Sequence, residues 1–133
     1  MAKVLARSVI FVLFLASCKS AGNQTATDAS AQIEFKKTAC DFGIVSTDFK
    51  GTCEFEFQNT SEVPLIINDV KTGCNCTSTE WPQHPVMPGK KEIIKVKYTA
   101  GSKGVFVRSV TVYSNAKNSP FMLFIKGEVK TEK

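Results

Sequence analysis

The chain has 133 residues, 43% of them hydrophobic and 22% charged, with a formal net charge of +5. That length holds one domain with one modest core, and the balance of apolar and charged residues excludes a disordered chain, a collagen-like repeat and a polytopic membrane protein. The one long apolar stretch stands at the N-terminus.

That stretch has the parts of a secretory signal. Lys3 and Arg7 form a positive n-region, and residues 8–16 form an apolar h-region. It is too short to cross a bilayer, which takes about 20 apolar residues. The segment Leu15-Ala16-Ser17-Cys18 that ends it resembles the lipobox of bacterial lipoproteins. The resemblance implies a signal peptide over residues 1–17 and a lipid on Cys18, the first residue after cleavage. It places the protein in the bacterial cell envelope, held to a membrane by that lipid. Lys19 and Ser20 carry no acidic inner-membrane retention signal, which favours the outer membrane. Cleavage removes two positive charges, those of Lys3 and Arg7. Lys71, Lys95, Lys97, Lys103 and Lys117 stand singly along the remaining chain and form no basic stripe, so nucleic acid is not an expected partner.

Residues 18–31 follow as a flexible tether. Beyond Cys18 they are Ser, Ala, Gly, Asn, Gln and Thr with one Lys and one Asp, which cannot bury enough surface to fold. A coil of this length spans on the order of 20 Å. From Ile33 onward the pattern is β, and the folded domain is expected over residues 32–130. Residues 52–58 alternate cleanly, with Cys53, Phe55 and Phe57 on one face and Glu54, Glu56 and Gln58 on the other. Residues 92–99 do the same with Ile94, Val96 and Tyr98 against Lys95 and Lys97, while Ile93 breaks the alternation and marks the strand's start. Residues 105–113 and 120–129 are further strands. The apolar run 121–125 points to burial on both sides or to a contact surface. Turn signals separate these segments at 49–51, 59–61, 88–89, 101–104 and 114–118. The expected architecture is all-β: an immunoglobulin-like antiparallel β-sandwich of about seven strands.

The order Asp41-Phe42-Gly43, Phe55-x-Phe57-x-Asn59, Pro64-Leu65-x-Ile67, Cys74-x-Cys76-Thr77, Pro88-Gly89, Gly104, Val112-x-Ser114-Asn115 and Ile125-x-Gly127 resembles a bacterial family of unknown function. The hallmark of that family is a Cys-Gly-Cys-Thr segment. The family is similar to Hydin-type and major-sperm-protein-type immunoglobulin-like domains and is abundant among lipoproteins and exported proteins. The resemblance covers residues 33–129 and implies a fold and an exported location, with no known reaction. Asn75 stands where the family carries glycine. Asn is the most tolerant ordinary residue in the left-handed region, so a tight backbone stays feasible there.

With Cys18 acylated, four thiols remain for an oxidising compartment: Cys40, Cys53, Cys74 and Cys76. Three pairings exist. Linking Cys40 to Cys53 across a hairpin-like segment needs the least ordering of chain. Cys74 and Cys76 then pair or stay reduced. In an extended strand their Cα atoms would lie about 6.6 Å apart, near the upper limit for a disulfide, so a bridge requires a kink at Asn75. Such a bridge would be strained and easily reduced, which opens a thiol-redox reading. No thioredoxin-like βαβ pattern surrounds the pair, and the spacing is Cys-x-Cys, so the pair is read as structural.

Copper handling is the other sharp reading. Cys74, Cys76, His84 and Met87 lie close in sequence and offer thiolate, imidazole and thioether donors that suit Cu(I). Against it, His84 sits in the Pro-rich segment Trp81-Pro82-Gln83-His84-Pro85-Val86-Met87-Pro88, whose composition is that of a fixed loop with Trp81 and Val86 capping the sandwich end. Hydrolysis has no support: a serine triad would need this single histidine, and no Gly-x-Ser-x-Gly elbow occurs. Glu54 and Glu56 share a solvated strand face. The Asn-x-Ser/Thr matches at Asn23, Asn59 and Asn75 carry no glycan under the lipobox reading. The expectation is a lipid-anchored, non-enzymatic envelope module without a cofactor, bound to the membrane through its lipid and to an envelope protein. A thiol-redox or copper-handling protein built on Cys74 and Cys76 is the alternative.

Overall fold

A computed structural model describes residues 29–131. The leader, Cys18 and all but the last residues of the expected tether lie outside the described residues. Eight strands follow in order: β1 (Ile33–Phe35), β2 (Ala39–Val45), β3 (Lys50–Asn59), β4 (Ile67–Thr72), β5 (Thr77–Glu80), β6 (Lys91–Thr99), β7 (Gly104–Ser114) and β8 (Phe121–Val129). They form two four-stranded sheets, β1-β3-β6-β5 and β2-β8-β7-β4. Setting β2 aside, this is the ABED and CFG arrangement of a constant-type immunoglobulin domain. The extra strand has a simple origin. The first strand of the sandwich is split: β1 pairs antiparallel with β3, then the chain changes sheets and β2 runs parallel to β8.

Where one face of a strand meets the core, alternation sets its register. Cys53, Phe55 and Phe57 of β3, Ile94, Val96 and Tyr98 of β6, Phe106, Val110 and Val112 of β7, and Leu123 and Ile125 of β8 are all buried between the sheets. Ile93 does not start β6. It lies inside the strand, opposite Glu56, with its side chain on the outer face. The apolar run in β8 also alternates: Leu123 and Ile125 point inward, while Met122 and Phe124 stand outside. The run is therefore not buried on both sides. At the start of the domain, Ala31 is buried and bridges Ala116, so packing begins one residue earlier than expected.

The ends of the sandwich are distinct. Ala31, the β3–β4 and β5–β6 loops, and the β7–β8 loop share one end, tied by Lys117 N–H donating to Ala31 O and Val86 N–H donating to Leu65 O. The β4–β5 crossing and the β6–β7 loop lie toward the other, because Thr77 pairs with Tyr98 and Gly104 pairs with Val129. An extended strand of the length of β3 separates the ends by about 30 Å.

Asn59 closes the first end from inside. It is fully buried, and its Nδ2 donates to Val63 O at 2.7 Å and Val86 O at 2.8 Å. Its Oδ1 accepts from Ser61 N at 3.0 Å and Ser61 Oγ at 2.6 Å. Every polar atom of the amide is used, and the nitrogen is out of reach of any modifying enzyme. Asn59→Leu keeps the volume but removes one hydrogen bond from each of Val63 O and Val86 O and leaves Ser61 N–H without its acceptor, so urea unfolding should show a loss of about 3 kcal/mol.

Candidate functional site

Two cysteine pairs stand at disulfide distance, and they differ in kind. Cys40 lies on β2 and Cys53 on β3, with Cα atoms 6.4 Å apart. The intervening segment is not a hairpin, as the sequence suggested. β2 and β3 belong to different sheets and do not pair, since β2 takes β8 as its partner and β3 takes β1 and β6. The Cys40–Cys53 link therefore ties sheet to sheet just after the chain has switched sides, and Cys53 is 2% exposed.

Cys74 and Cys76 occupy the crossing from β4 to β5, where the chain leaves one sheet for the other. Thr77 N–H donates to Cys74 O at 3.3 Å, closing a four-residue turn centred on Asn75 and Cys76. That turn draws the two Cα atoms to 5.3 Å, well inside the extended spacing. Among the described residues no non-glycine residue has positive φ, so Asn75 makes the kink without entering the left-handed region. This removes the need for glycine. Two threonines hold the turn. Thr72 Oγ1 donates to Cys74 O and Thr77 O, each at 3.2 Å. Thr77 is buried, with Oγ1 at 3.5 Å from Cys74 Sγ and 3.7 Å from Cys76 Sγ. Thr99 N–H donates to Cys76 O at 2.9 Å, fastening the turn to the end of β6.

Beside Cys76 lies a cleft of about 220 Å³, lined among others by Tyr98, Lys103, Phe106 and Arg108. Tyr98 and Phe106, from opposite sheets and both buried, stack on each other at its edge, with ring centroids 4.2 Å apart. Arg108 is the residue that sequence reasoning missed. On β7 it falls in the inward phase, between Phe106 and Val110, and its Nε is buried without a hydrogen-bond partner among the described residues. None of the ion pairs formed among the described residues includes it. The signal was present in the alternation itself: a charged residue stood where an apolar one was due.

The other copper candidates are not brought to this pair. His84 Nε2 lies 3.1 Å from Glu92 Oε1, near the start of β6, whereas Cys76 is bonded to Thr99 at the end of β6. Seven residues of extended strand separate those points by about 23 Å. Met87, whose carbonyl accepts from Lys90 N–H, is also at the His84 end. The four-donor set of the sequence reading is therefore split between the two ends, because the β5–β6 loop returns to where β6 begins. Among the described residues no cluster of three His, Cys, Asp or Glu side chains could hold a metal ion. Trp81 and Val86 pack on the core at that end, Val86 being buried.

The outer faces of the sheets contrast. On β3, β5 and β6, Glu56 pairs with Lys91, Glu54 with Lys95 and Glu80 with Lys97. The hydrogen bond from Lys97 holds the Glu80 carboxyl below its ordinary value. On the other sheet Asp41 is also lowered, chiefly by Gly43 N–H donating to its Oδ1 at 2.8 Å and further by Lys126. Around that pair the outer surface also exposes large apolar side chains, Ile44, Val105, Val107, Met122 and Phe124.

Residues 33–129 match the family described as Protein of unknown function (DUF1573). The chain belongs to this family. No curated protein matches it. Among solved structures, a protein of unknown function from Porphyromonas gingivalis W83 is similar with a TM-score of 0.66 at 16% identity, covering 80% of this chain and 51% of that one. This chain thus spans about half the length of that protein. The ASH/PapD-like domain 7 of human CEP192 is similar with a TM-score of 0.66 at 6% identity, covering 83% and 93%. The secreted serine protease VesC from Vibrio cholerae matches with a TM-score of 0.58 at 9% identity, covering 74% of this chain and 23% of the protease. At these identities the likeness is one of fold, an immunoglobulin-like sandwich shared by this DUF1573 domain.

Two measurements follow from the site. Replacing Cys40 or Cys53 by Ser should lower the unfolding free energy by about 3 kcal/mol, the value for a loop of that size, and the double variant should lose no more than either single one. In a carboxyl titration followed by NMR, Glu80 should titrate below the ordinary glutamate value, and Lys97→Gln should return it. Because the folded value is depressed, the pair's support is present above the unfolded carboxylate pKa and is lost as pH falls through the folded one.

Proposed function

We propose that this protein is a lipid-anchored lipoprotein of the bacterial cell envelope whose DUF1573 domain is a non-enzymatic protein-interaction module. The observation that carries the interaction reading is the asymmetry of the two outer faces. One is laced with cross-strand ion pairs. The other has one cross-strand pair among the described residues, Asp41–Lys126, and exposes Val105 at 79%, Ile44 at 67% and Val107 at 56%, with Met122 and Phe124 farther along β8. Contiguous exposed apolar surface on a soluble domain marks contact with another molecule. A shallow notch in this face is lined by Ile44, Val105 and Val107 together with Asp41, Lys126 and Glu128, which gives it relief and a polar rim.

The anchor reading rests on the lipobox-like Leu15-Ala16-Ser17-Cys18 behind an apolar h-region. A lipid on Cys18 would hold the domain by the end that carries Ala31, with the apolar face running up its side and the Cys74–Cys76 turn farthest from the membrane. The partner is an envelope protein reachable from a tether of about 20 Å. The fold supports a non-enzymatic role, since immunoglobulin-like sandwiches of this size serve mainly as binding modules.

Cys18→Ser should move the cleaved protein from the membrane to the soluble fraction; a membrane-bound cleaved form would sink the anchor assignment. For the module, Val105→Glu with Val107→Glu should leave the melting temperature unchanged, because both side chains already face solvent. The same variant should abolish cross-linking of the domain to its envelope partner in intact cells. Undiminished cross-linking would remove the apolar face from the reading.

A further inference from the structure

We propose that the Cys74–Cys76 disulfide is an exchange site for an anionic thiol, with Arg108 and Lys103 drawing the thiol to the sulfur of Cys76. This goes beyond the interaction module and does not depend on it.

Three observations converge. First, the pair contributes little as a staple. Chain-entropy stabilisation grows with the loop closed, and this link closes one intervening residue, whereas Cys40–Cys53 has a sequence separation of 13 and joins the two sheets. The turn is also held without the sulfurs, by Thr72 and by Thr99 N–H. Secondly, the two bonds differ in access. Of the Cys40–Cys53 bond only Cys40 is half-buried and Cys53 is shut in the core, while both Cys74 and Cys76 are half-buried and Cys76 lines an open cleft. Exposed disulfides are the labile and regulatory ones. Thirdly, the cleft carries positive charge with no partner of its own. Arg108 points inward on β7, its Nε is buried and unpaired among the described residues, and Lys103 stands on the rim. An inward cation left without an anion is costly. The carboxylate or sulfonate carried by an anionic thiol supplies that anion when the thiol enters the cleft. The volume of about 220 Å³ takes a group the size of one side chain, below the range of drug-sized ligands.

The reaction balances in two steps. The incoming thiolate attacks Cys76 Sγ from the cleft; its bond to Cys76 forms, the Cys74–Cys76 bond breaks, and Cys74 leaves as a thiolate beside the Thr77 hydroxyl. A second thiol, from the same reductant or from a second molecule of it, then attacks the reductant's sulfur in the mixed disulfide, and Cys76 leaves as a thiolate. The reductant departs as a disulfide, having lost two electrons, and the domain keeps Cys74 and Cys76 as a dithiol. The reductant is an acidic thiol, supplied by a small molecule or by an acidic dithiol segment of a protein.

The test compares 2-mercaptoethanesulfonate with neutral 2-mercaptoethanol, rates being taken per thiolate and followed by differential alkylation and mass spectrometry of the folded protein. Cys74–Cys76 should be reduced at least tenfold faster than Cys40–Cys53, and the sulfonate should outrun the neutral thiol by about tenfold at low salt. Arg108→Gln should erase that preference while leaving the neutral rate within about twofold, and Arg108→Lys should restore it. Should Arg108→Gln fail to fold, about 0.5 M salt added to the wild type should erase the preference instead. A mixed disulfide trapped by acid should sit on Cys76. Equal rates for the two disulfides, no preference for the anionic thiol, a preference that survives both Arg108→Gln and salt, or an adduct on Cys74 would each overturn the proposal. A peptide with a Cys-x-x-Cys dithiol between acidic residues separates the sources: faster reaction than the small thiol assigns the site to a protein, slower reaction to a small molecule.

Discussion

Each sheet of the sandwich is a complete hydrogen-bonded unit, so what unites the domain is whatever passes between the sheets. Most of that is apolar contact among Phe55, Phe57, Ile94, Val96, Val110, Val112, Leu123 and Ile125, which is non-directional and would tolerate sliding of one sheet on the other. Directional ties are few. They include the backbone changing sheets between β1 and β2, the Cys40–Cys53 bond placed directly after that change, and the threonine-held crossing between β4 and β5. The bond sits where the first strand, divided into short pieces on two edges, has the least pairing to hold it.

The crossings also decide where charge is tolerated inside. In the middle of the sandwich the inward positions are apolar without exception on β6 and β8. Arg108 occupies an inward position of β7 only because the β4–β5 crossing has drawn away from it: β4 ends with Thr72 opposite Val110, and beyond that point β7 has no β4 neighbour. The gap so left is the cleft beside Cys76. One topological event, the early departure of β4 for the other sheet, thus produces the turn, the cysteine pair, the cleft and the unpaired guanidinium together.

How far the sequence disclosed this depended on the environment of each strand. β3, β6, β7 and β8 have one face against the core and neighbours on both sides, and their alternation located them to within two residues. β1, β2, β4 and β5 are edge strands, short or bulged, as at Asp41/Ile44 and Ile67/Asp69; little burial constrains their pattern, so none stood out. Ile93 and the run 121–125 misled for a related reason, because apolar side chains on an outer face look like core until a sheet is assembled. Nearness in sequence was a poor guide to the metal set. The residues between Cys76 and Met87 include β5 and a loop that returns to the opposite end of the sandwich, so donors adjacent in the chain end up about 23 Å apart. Cys40 and Cys53 do stand at disulfide distance, but the segment between them does not fold back as the hairpin their nearness suggested.

The two cysteine pairs show how one residue type is put to opposite uses by position alone. A disulfide stabilises through the chain freedom it removes from the unfolded state and resists exchange through burial, and Cys40–Cys53 closes the longer loop and has one of its cysteines, Cys53, shut in the core. Cys74–Cys76 is weaker on both counts, because it spans a single residue and both of its cysteines are only half-buried. A bond that does little for stability and is open to thiols is retained at low cost only if nothing nearby invites attack. Here the nearest cleft carries the inward-facing guanidinium of Arg108, which does the reverse. Were the pair merely decorative, a neutral side chain such as Gln or Met at position 108 would pack against Phe106 and Val110 with a smaller desolvation penalty. The arginine is the feature that turns an exposed cysteine pair into a site with a preferred charge of ligand.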